Sequence, residues 1–347
     1  MRLGMAIDYT REPLAQVDEI VALEAAGLDV AWVPEAWGYD APSLLGFLAA
    51  RTSRMAIAAG VLPVYSRTPS LIAQTAAGLA ALSGGRFELG LGTSGPQVIE
   101  GFHGVAFAHP RARLRDTIGV CRMLWSGATS RYDGQAVHVP LPDGEGTGLG
   151  RPLRLLAPGG IGEIPIHLAV MRPGMVELAA ELADGWYPLF FVPERLEDAW
   201  GAALGRGRAV RVPELGPLEI TVSMACAIGD ETGVAPLRDA MRPEIARYVG
   251  GMGARGANFY TEVIARLGWP DAAATIQDLY LSGRREQAAQ AIPTDMLRAL
   301  TLCGSPEELA DRLAVLRGAG VATLVVRPLE PDAAGLIVKL RSIADAA

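Results

Sequence analysis

The sequence predicts an α/β barrel of the TIM type, with insertions after the fourth and seventh strands. Two observations lead there. Short β-rich runs alternate with segments of helical periodicity along the chain, and eight strand candidates can be counted, six of them in strand-then-helix units. The length of 347 residues suits one elaborated barrel as well as two smaller domains. The reading adopted is one domain over residues 1–347, with insertion segments at about 100–164 and 229–304. A doubly wound sheet is the structural alternative.

The elements follow in order. Residues 2–7 form the first strand. Leu14, Val17, Ile20 and Val21 then recur at helical spacing, and Gly27 can end that helix. Residues 30–33 are the second strand, followed by a helix over about 43–51. Residues 55–62 are the third strand. Pro69 opens a helix to about Leu82, since proline is tolerated in a first turn. Residues 87–92 are the fourth strand. The rhythm then breaks: residues 100–164 hold one helix, about 110–125, and the Gly/Pro-rich stretch LPDGEGTGLGRPLR, an ordered excursion or a mobile loop.

The fifth strand covers residues 165–170, and its helix carries Met175, Leu178, Ala179 and Leu182 on one face. A sixth strand lies near residues 186–190 and a seventh over 218–228. Residues 233–300 are largely helical. Ser305-Pro306-Glu307-Glu308 is a capping box with proline at the first helical position; Leu309, Leu313 and Leu316 form the stripe, and residues 321–326 are the eighth strand.

Half of the residues are hydrophobic, a fifth are charged, and the net charge is -7. That balance gives no general affinity for nucleic acid or an anionic membrane. Lys339 is the single lysine, so the basic surface is built of arginine. Cys121, Cys226 and Cys303 are far apart and form neither a disulfide framework nor a metal-ligand spacing. No signal peptide and no membrane-spanning apolar run is read, which points to a reducing, cytoplasmic location.

Gly90, Gly92 and Gly95 fall in the spacing G-x-G-x-x-G. A dinucleotide fingerprint also needs a helix directly after the third glycine and an acid closing the next strand. Here Pro96 follows Gly95, only a short run precedes Gly101, and the nearest acid, Asp116, sits inside a helical pattern. Two other readings stand beside that match. Gly90 and Gly92 let crowded strands pack, or Thr93, Ser94 and Gly95 form a loop at the C-terminal end of a barrel strand, where small residues let a flat ligand approach.

The stretch SGGRFELGLGTSGPQVIEGFHGVAF resembles the luciferase-like flavin and deazaflavin superfamily, in its branch of F420-dependent oxidoreductases. WVPEAWGYDAPSLLGFLAART, PLPDGEGTGLGRPLR, ELADGWYPLFFVPE, YVGGMGARGANFY and IQDLYLSGRREQAA are similar to the same branch, so the resemblance covers nearly the whole chain. It implies a TIM barrel with F420 at the C-terminal mouth, hydride transfer, and a homodimer. It also implies a non-prolyl cis peptide at Gly60-Val61 that props the deazaflavin ring, with residues Thr93, Ser94, Gly95, Pro96 and Gln97 beside it.

Several positions are candidates for the chemistry. Asp8 and Glu35 end the first and second strands; a carboxylate there accepts a cofactor N–H or acts as general acid, against plainer roles as a helix cap and a loop charge. Histidine is the side chain suited to proton transfer near neutral pH, which makes His103 a candidate proton donor, against a structural role. Val170, Met171, Arg172, Pro173 and Gly174 lead into a helix whose N-terminus suits a phosphate. Arg172 is a departure, because the resembling family has a small residue there; it either clamps the phosphate or stays on the surface. Tyr9 and Trp37 are possible pocket walls, with aromatic core the plainer role for Trp37, and residues 186–191 are barrel and rim packing.

The sugar-phosphate dehydrogenases of that family carry a histidine and a glutamate where this chain has Ala36 and Gly95, which speaks against their reaction. The expected activity is hydride transfer from reduced F420 to an electron-poor C=C, C=N or C=O group of a small molecule or modified peptide, with residues 141–164 as a lid. An FMN-dependent monooxygenase of the same superfamily and a non-catalytic binding protein are the alternatives. No residue singles out the substrate.

Overall fold

The computed structural model describes residues 1–8, 11–157 and 160–346, so Tyr9 lies outside the described residues. Eight parallel strands close into a ring: β1 (Arg2–Ala6), β2 (Val30–Val33), β3 (Ala56–Ala59), β4 (Phe87–Gly92), β5 (Ile166–Leu168), β6 (Gly185–Trp186), β7 (Glu219–Ile228) and β8 (Val321–Pro328). β8 returns to β1 with Arg2 opposite Thr323 and Met5 opposite Val326. This is the TIM barrel that the alternating pattern predicts, and closure leaves the ring without an edge strand.

The pleat sorts the side chains. Leu3 and Met5 of β1 are buried outward against helices. Gly4 points the other way, where an added Cβ would meet Val30 and Trp32. Val30, Trp32, Ala58 and Val325, with Ala56 and Tyr187 beside them, form a separate apolar cluster inside the ring. The larger core fills the space between strands and helices. In the first helix, Pro13–Ala25, Val17, Ile20 and Leu23 are buried, while Leu14 is turned to solvent. The stripe there runs through Gln16 instead, whose side chain bonds the backbone of Asp8 from both sides.

Four local differences from the sequence reading have physical reasons. The third strand is split: Ala56–Ala59 ends, the Gly60–Val61 peptide is cis as the resemblance implies, and Leu62–Pro63 then pairs beside Leu91 and Gly92. The sixth strand stops at Trp186, because the chain turns Phe190 and Phe191 into the core, where they meet Tyr248 and Trp186. A short hairpin, Tyr132–Asp133 with His138–Val139, stands in the first insertion. Asp116 holds it by accepting from the N–H groups of Ala136 and Val137, so that acid is a structural pin. Finally, a strand at Thr301–Gly304 ends the second insertion and pairs with residues Ala225–Ile228 of β7. β7 pairs with β8 on its other edge, so this strand extends the edge that β6 occupies lower down.

The capping box after that strand is complete. Ser305 Oγ accepts from Glu308 N–H, Glu308 accepts from Ser305 N–H, and Pro306 opens the helix Pro306–Gly318. Ser305→Ala is expected to cost about 1 kcal/mol, read as a lower urea midpoint at unchanged slope. Among the described residues no helix is long and apolar enough to cross a membrane.

Candidate active site at the barrel mouth

The C-terminal ends of the strands form an open mouth. Ala6 is exposed although Met5 and Ile7 on either side are buried, so the inward face of β1 meets solvent at its upper end. Small residues continue that floor around the ring: Gly60 follows β3, Gly92 ends β4 and Ala169 follows β5.

The glycine trio has a packing role. A Cβ on Gly90 would stand 1.9 Å from the carbonyl oxygen of Ala59 and 2.9 Å from Val61 Cγ1. One on Gly92 would stand 2.8 Å from Val61 Cγ2. The two glycines therefore let β4 lie against the irregular segment after β3. Gly95 precedes a four-residue helix, Pro96–Ile99, too short for a pyrophosphate cradle. Thr93, Ser94 and Gly95 are half-buried and Pro96 and Gln97 exposed at the mouth, with Ser94 at a φ of 55°.

Glu35 is fixed by three N–H groups. Arg67 grips it in a two-pronged ion pair, with Nη2 to Oε2 at 2.8 Å, and Ala41 N–H reaches Oε2 at 2.8 Å. The Glu35 side chain is 8% exposed. Both oxygens act as acceptors, so Glu35 joins the β2 end to the segment before the helix Pro69–Ser83. That geometry opposes its expected use as a general acid. Arg67 carries no sequence signal except its nearness to a strand end. Trp37, at 53% exposure, is not core. Asp8 is exposed beyond β1, its backbone held by Gln16.

His103 lies beyond the short helix, its N–H bonded to Val98 and its ring edge-on to Phe102 at 5.1 Å. Its Nε2 is buried without a hydrogen-bond partner in the protein.

The turn after β5 has two layers. Val170 and Met171 are buried, and their carbonyls accept from the indoles of Trp186 at 2.7 Å and Trp200 at 2.8 Å. They brace the turn. Arg172, Pro173 and Gly174 are exposed and begin the helix Pro173–Leu182. The N–H groups of Met175 and Val176 return to Arg172 O, and Pro173 has none, which leaves the N–H of Gly174 for a ligand. Arg172 stacks over Phe259 at 5.9 Å. Arg266, from the second insertion, comes to the same place and donates to Met171 O at 3.3 Å, while its Nε is buried with no partner. Burial lowers the Arg266 pKa; the Glu262 carboxylate opposes this and the Arg172 charge adds to it. Two guanidiniums held together at a helix N-terminus suit an anion. Arg266 is far from Arg172 in sequence, and no local motif marks it.

The second insertion also walls the mouth with rings. Tyr248 and Tyr260 lie 5.2 Å apart, and each meets Phe190 at 6.2 Å.

The chain matches the luciferase-like monooxygenase family over residues 1–323. It is 35% identical over 333 residues to a Mycobacterium tuberculosis protein provisionally named a coenzyme F420-dependent oxidoreductase, covering 94% of each chain. Among solved structures, the coenzyme F420-dependent tetrahydromethanopterin reductase of Methanopyrus kandleri superposes with a TM-score of 0.75 at 20% identity, over 99% of this chain and 98% of that one. A riboflavin lyase solved with modified FMN reaches a TM-score of 0.71 at 15% identity, over 100% of this chain and 91% of that one. At these identities the solved structures establish the fold.

Proposed function

The chain belongs to the luciferase-like monooxygenase family, and from that premise we propose that it is an F420-dependent oxidoreductase. The observation that carries the reading is the paired Arg172 and Arg266 at the start of the helix Pro173–Leu182, beside an open mouth floored by small residues. The unpartnered Nε of Arg266 and the N–H of Gly174 fit a phosphate group, and the floor fits a flat ring system. The 35% identical relative favours F420 over FMN as the owner of that phosphate and ring. Reduced F420 supplies a hydride, and an electron-poor C=C, C=N or C=O group of a small molecule or modified peptide would take it.

The chain's own residues do the rest. Thr93, Ser94, Gly95, Pro96 and Gln97 line one side of the ring site. Gly60 and Val61 lie beneath it. Glu35, through Arg67, fixes the loop over β2. The Nε2 of His103 is available to hydrogen-bond the acceptor. The exposed Leu149, Leu153 and Leu156 on the 141–164 segment suit a lid that excludes water when a ligand is bound. A cytoplasmic homodimer accompanies the reading. Cys121 fits a reducing compartment, since burial pushes its thiol up to about 12 and leaves it inert.

Equilibrium titration of the purified apo-protein with F420 and, separately, with FMN tests the reading by fluorescence. Tight F420 binding and weak FMN binding are the expected result, with Arg266→Leu weakening F420 by about tenfold or more through loss of a charge-assisted bond. Tighter binding of FMN would discard the reading in favour of an oxygen-using flavin enzyme.

A further inference from the structure

Beneath the mouth, the inside of the barrel carries polar groups for which the reading above has no use. Arg2 of β1 bonds Glu88 of β4 across the ring at 2.6 Å. His167 of β5 places Nε2 2.9 Å from the other Glu88 oxygen, an ion contact not aligned as a hydrogen bond. Trp32 Nε1, His167 Nδ1 and Thr221 Oγ1 are each buried with no hydrogen-bond partner in the protein.

These groups lie on inward-facing positions of β2, β5 and β7. The His167 imidazole stands edge-on to Trp32 at 5.3 Å, and it fills the place of a side chain on β6, since a Cβ on Gly185 would lie 2.0 Å from Nδ1. Tyr187 follows two residues later on the same face and packs on Trp32 at 4.9 Å. Ile220 is in register with Trp186, which brings Thr221 level with Tyr187. The Tyr187 hydroxyl is hydrogen-bonded with Ser223, the next inward residue of β7. Tyr187 is half-buried at the mouth, whereas His167 is 2% exposed. A ladder of exchangeable groups thus climbs from the floor of the barrel to its mouth. Each buried polar atom left unpaired costs about 1–3 kcal/mol, and buried water is the usual partner of such atoms.

We propose that Tyr187 is the proton donor at the barrel mouth, resupplied from His167 through Thr221, Ser223 and water held between them. The proposal rests on the hydride-transfer reading and supplies the proton that reading lacks. An acceptor that has gained a hydride carries the displaced π pair on its oxygen, nitrogen or α-carbon. That pair takes the proton of the Tyr187 hydroxyl and the O–H bond breaks; the phenolate regains a proton along the ladder from Nδ1 of the His167 imidazolium, whose counter-charge is Glu88, and the neutral imidazole left behind is recharged with a solvent proton through the same water once product leaves the mouth. Glu88 beside Nε2 keeps the imidazole oriented so that Nδ1 exchanges the proton. Burial raises the pKa of Tyr187; the Ser223 hydrogen bond opposes this and Tyr248 adds to it, so the phenol is protonated at neutral pH. An alkoxide, or an enolate protonated on its α-carbon, is more basic than the phenolate even with its pKa raised, so the transfer runs downhill.

Two experiments test this. A crystal structure of the full chain that resolves ordered solvent is expected to show water bridging His167 Nδ1 and Thr221 Oγ1; a dry interior overturns the relay. Tyr187→Phe keeps the ring on Trp32 and removes only the hydroxyl. Its affinity for oxidised F420, read by fluorescence titration, is expected to stay within about twofold of wild type. Single-turnover oxidation of its bound reduced F420 is expected to slow about 100-fold and to lose its solvent deuterium isotope effect. The probes are 2-cyclohexen-1-one, 1-pyrroline and acetone, and the one that wild type reduces fastest is used. An unchanged rate and isotope effect in Tyr187→Phe overturn the donor role. Failure of wild type to bind F420 overturns the function reading through the binding titration alone. Binding without reduction of any probe overturns the donor role.

Discussion

Gly90→Ala is expected to destabilise the barrel by about 3 kcal/mol or more, with a fall in Tm of roughly 5 °C or more. The added carbon would stand 1.9 Å from the carbonyl oxygen of Ala59, a separation that no rotamer change relieves. Its neighbour is backbone of the adjacent strand, and Phe87–Gly92 is buried along its whole length. Either β3 and β4 move apart, which breaks the ladder between Ile57 and Phe87, or the segment carrying Val61 shifts. Gly78→Ala is the internal control. Gly78 lies exposed in the helix Pro69–Ser83 with nothing within 4 Å of a Cβ. There the same substitution is expected to stabilise by about 0.5–1 kcal/mol, because alanine has the better helix propensity and restricts the unfolded chain. Thermal and urea unfolding of the two variants would show opposite signs. Equal effects would mean that β3 and β4 are less closely packed than the contact at Gly90 requires.

The same glycine shows where the sequence was legible and where it was not. Local pattern carries the barrel: alternation in β1, the prolines that open the helices at Pro69, Pro110 and Pro306, and the Ser305–Glu308 box all act through neighbours a few residues away. The role of Gly90 depends on which backbone atom faces it, and spacing alone left three readings open. The site is harder for the same reason. Arg172 was visible as a departure at a helix start, but Arg266 and Phe259 reach it only through the folding of the second insertion. Glu35 was visible at a strand end, and its chemistry changes once Arg67 is seen to hold both oxygens. In the sequence Tyr187 belongs to an aromatic run that predicts rim packing. Its position above His167 depends on Gly185 leaving room for an imidazole, a relation between two strands. The strand Thr301–Gly304 was missed because Thr-Leu-Cys-Gly is too short to show a period between two helices.

Acid is expected to remove a specific part of the stability, and Glu88→Gln is expected to remove that part at neutral pH. Glu88 is 9% exposed on its side chain. Burial alone would raise its pKa, but His167 and Arg2 more than reverse this and hold it at about 2, against an ordinary value of 4.5. The folded value lies below the unfolded one, so between them the unfolded chain binds a proton that the folded chain refuses. The contribution is therefore complete above about pH 4.5 and is lost as the pH falls through about 2. A depression of this size corresponds to about 3 kcal/mol. Glu88→Gln keeps the volume and leaves Arg2 and His167 without their counter-charge, at a cost of about 3 kcal/mol; the partial exposure of Arg2 puts this at the lower end for breaking a buried pair. Urea midpoints measured from pH 7 to pH 3 should fall steeply in wild type below pH 5 and more shallowly in the variant, which starts lower. Parallel curves would assign the acid limb to other carboxylates. If the variant matched wild type at pH 7, the Glu88 charge would contribute nothing net. The pair would then owe its place inside the barrel to the proton it helps to hand upward.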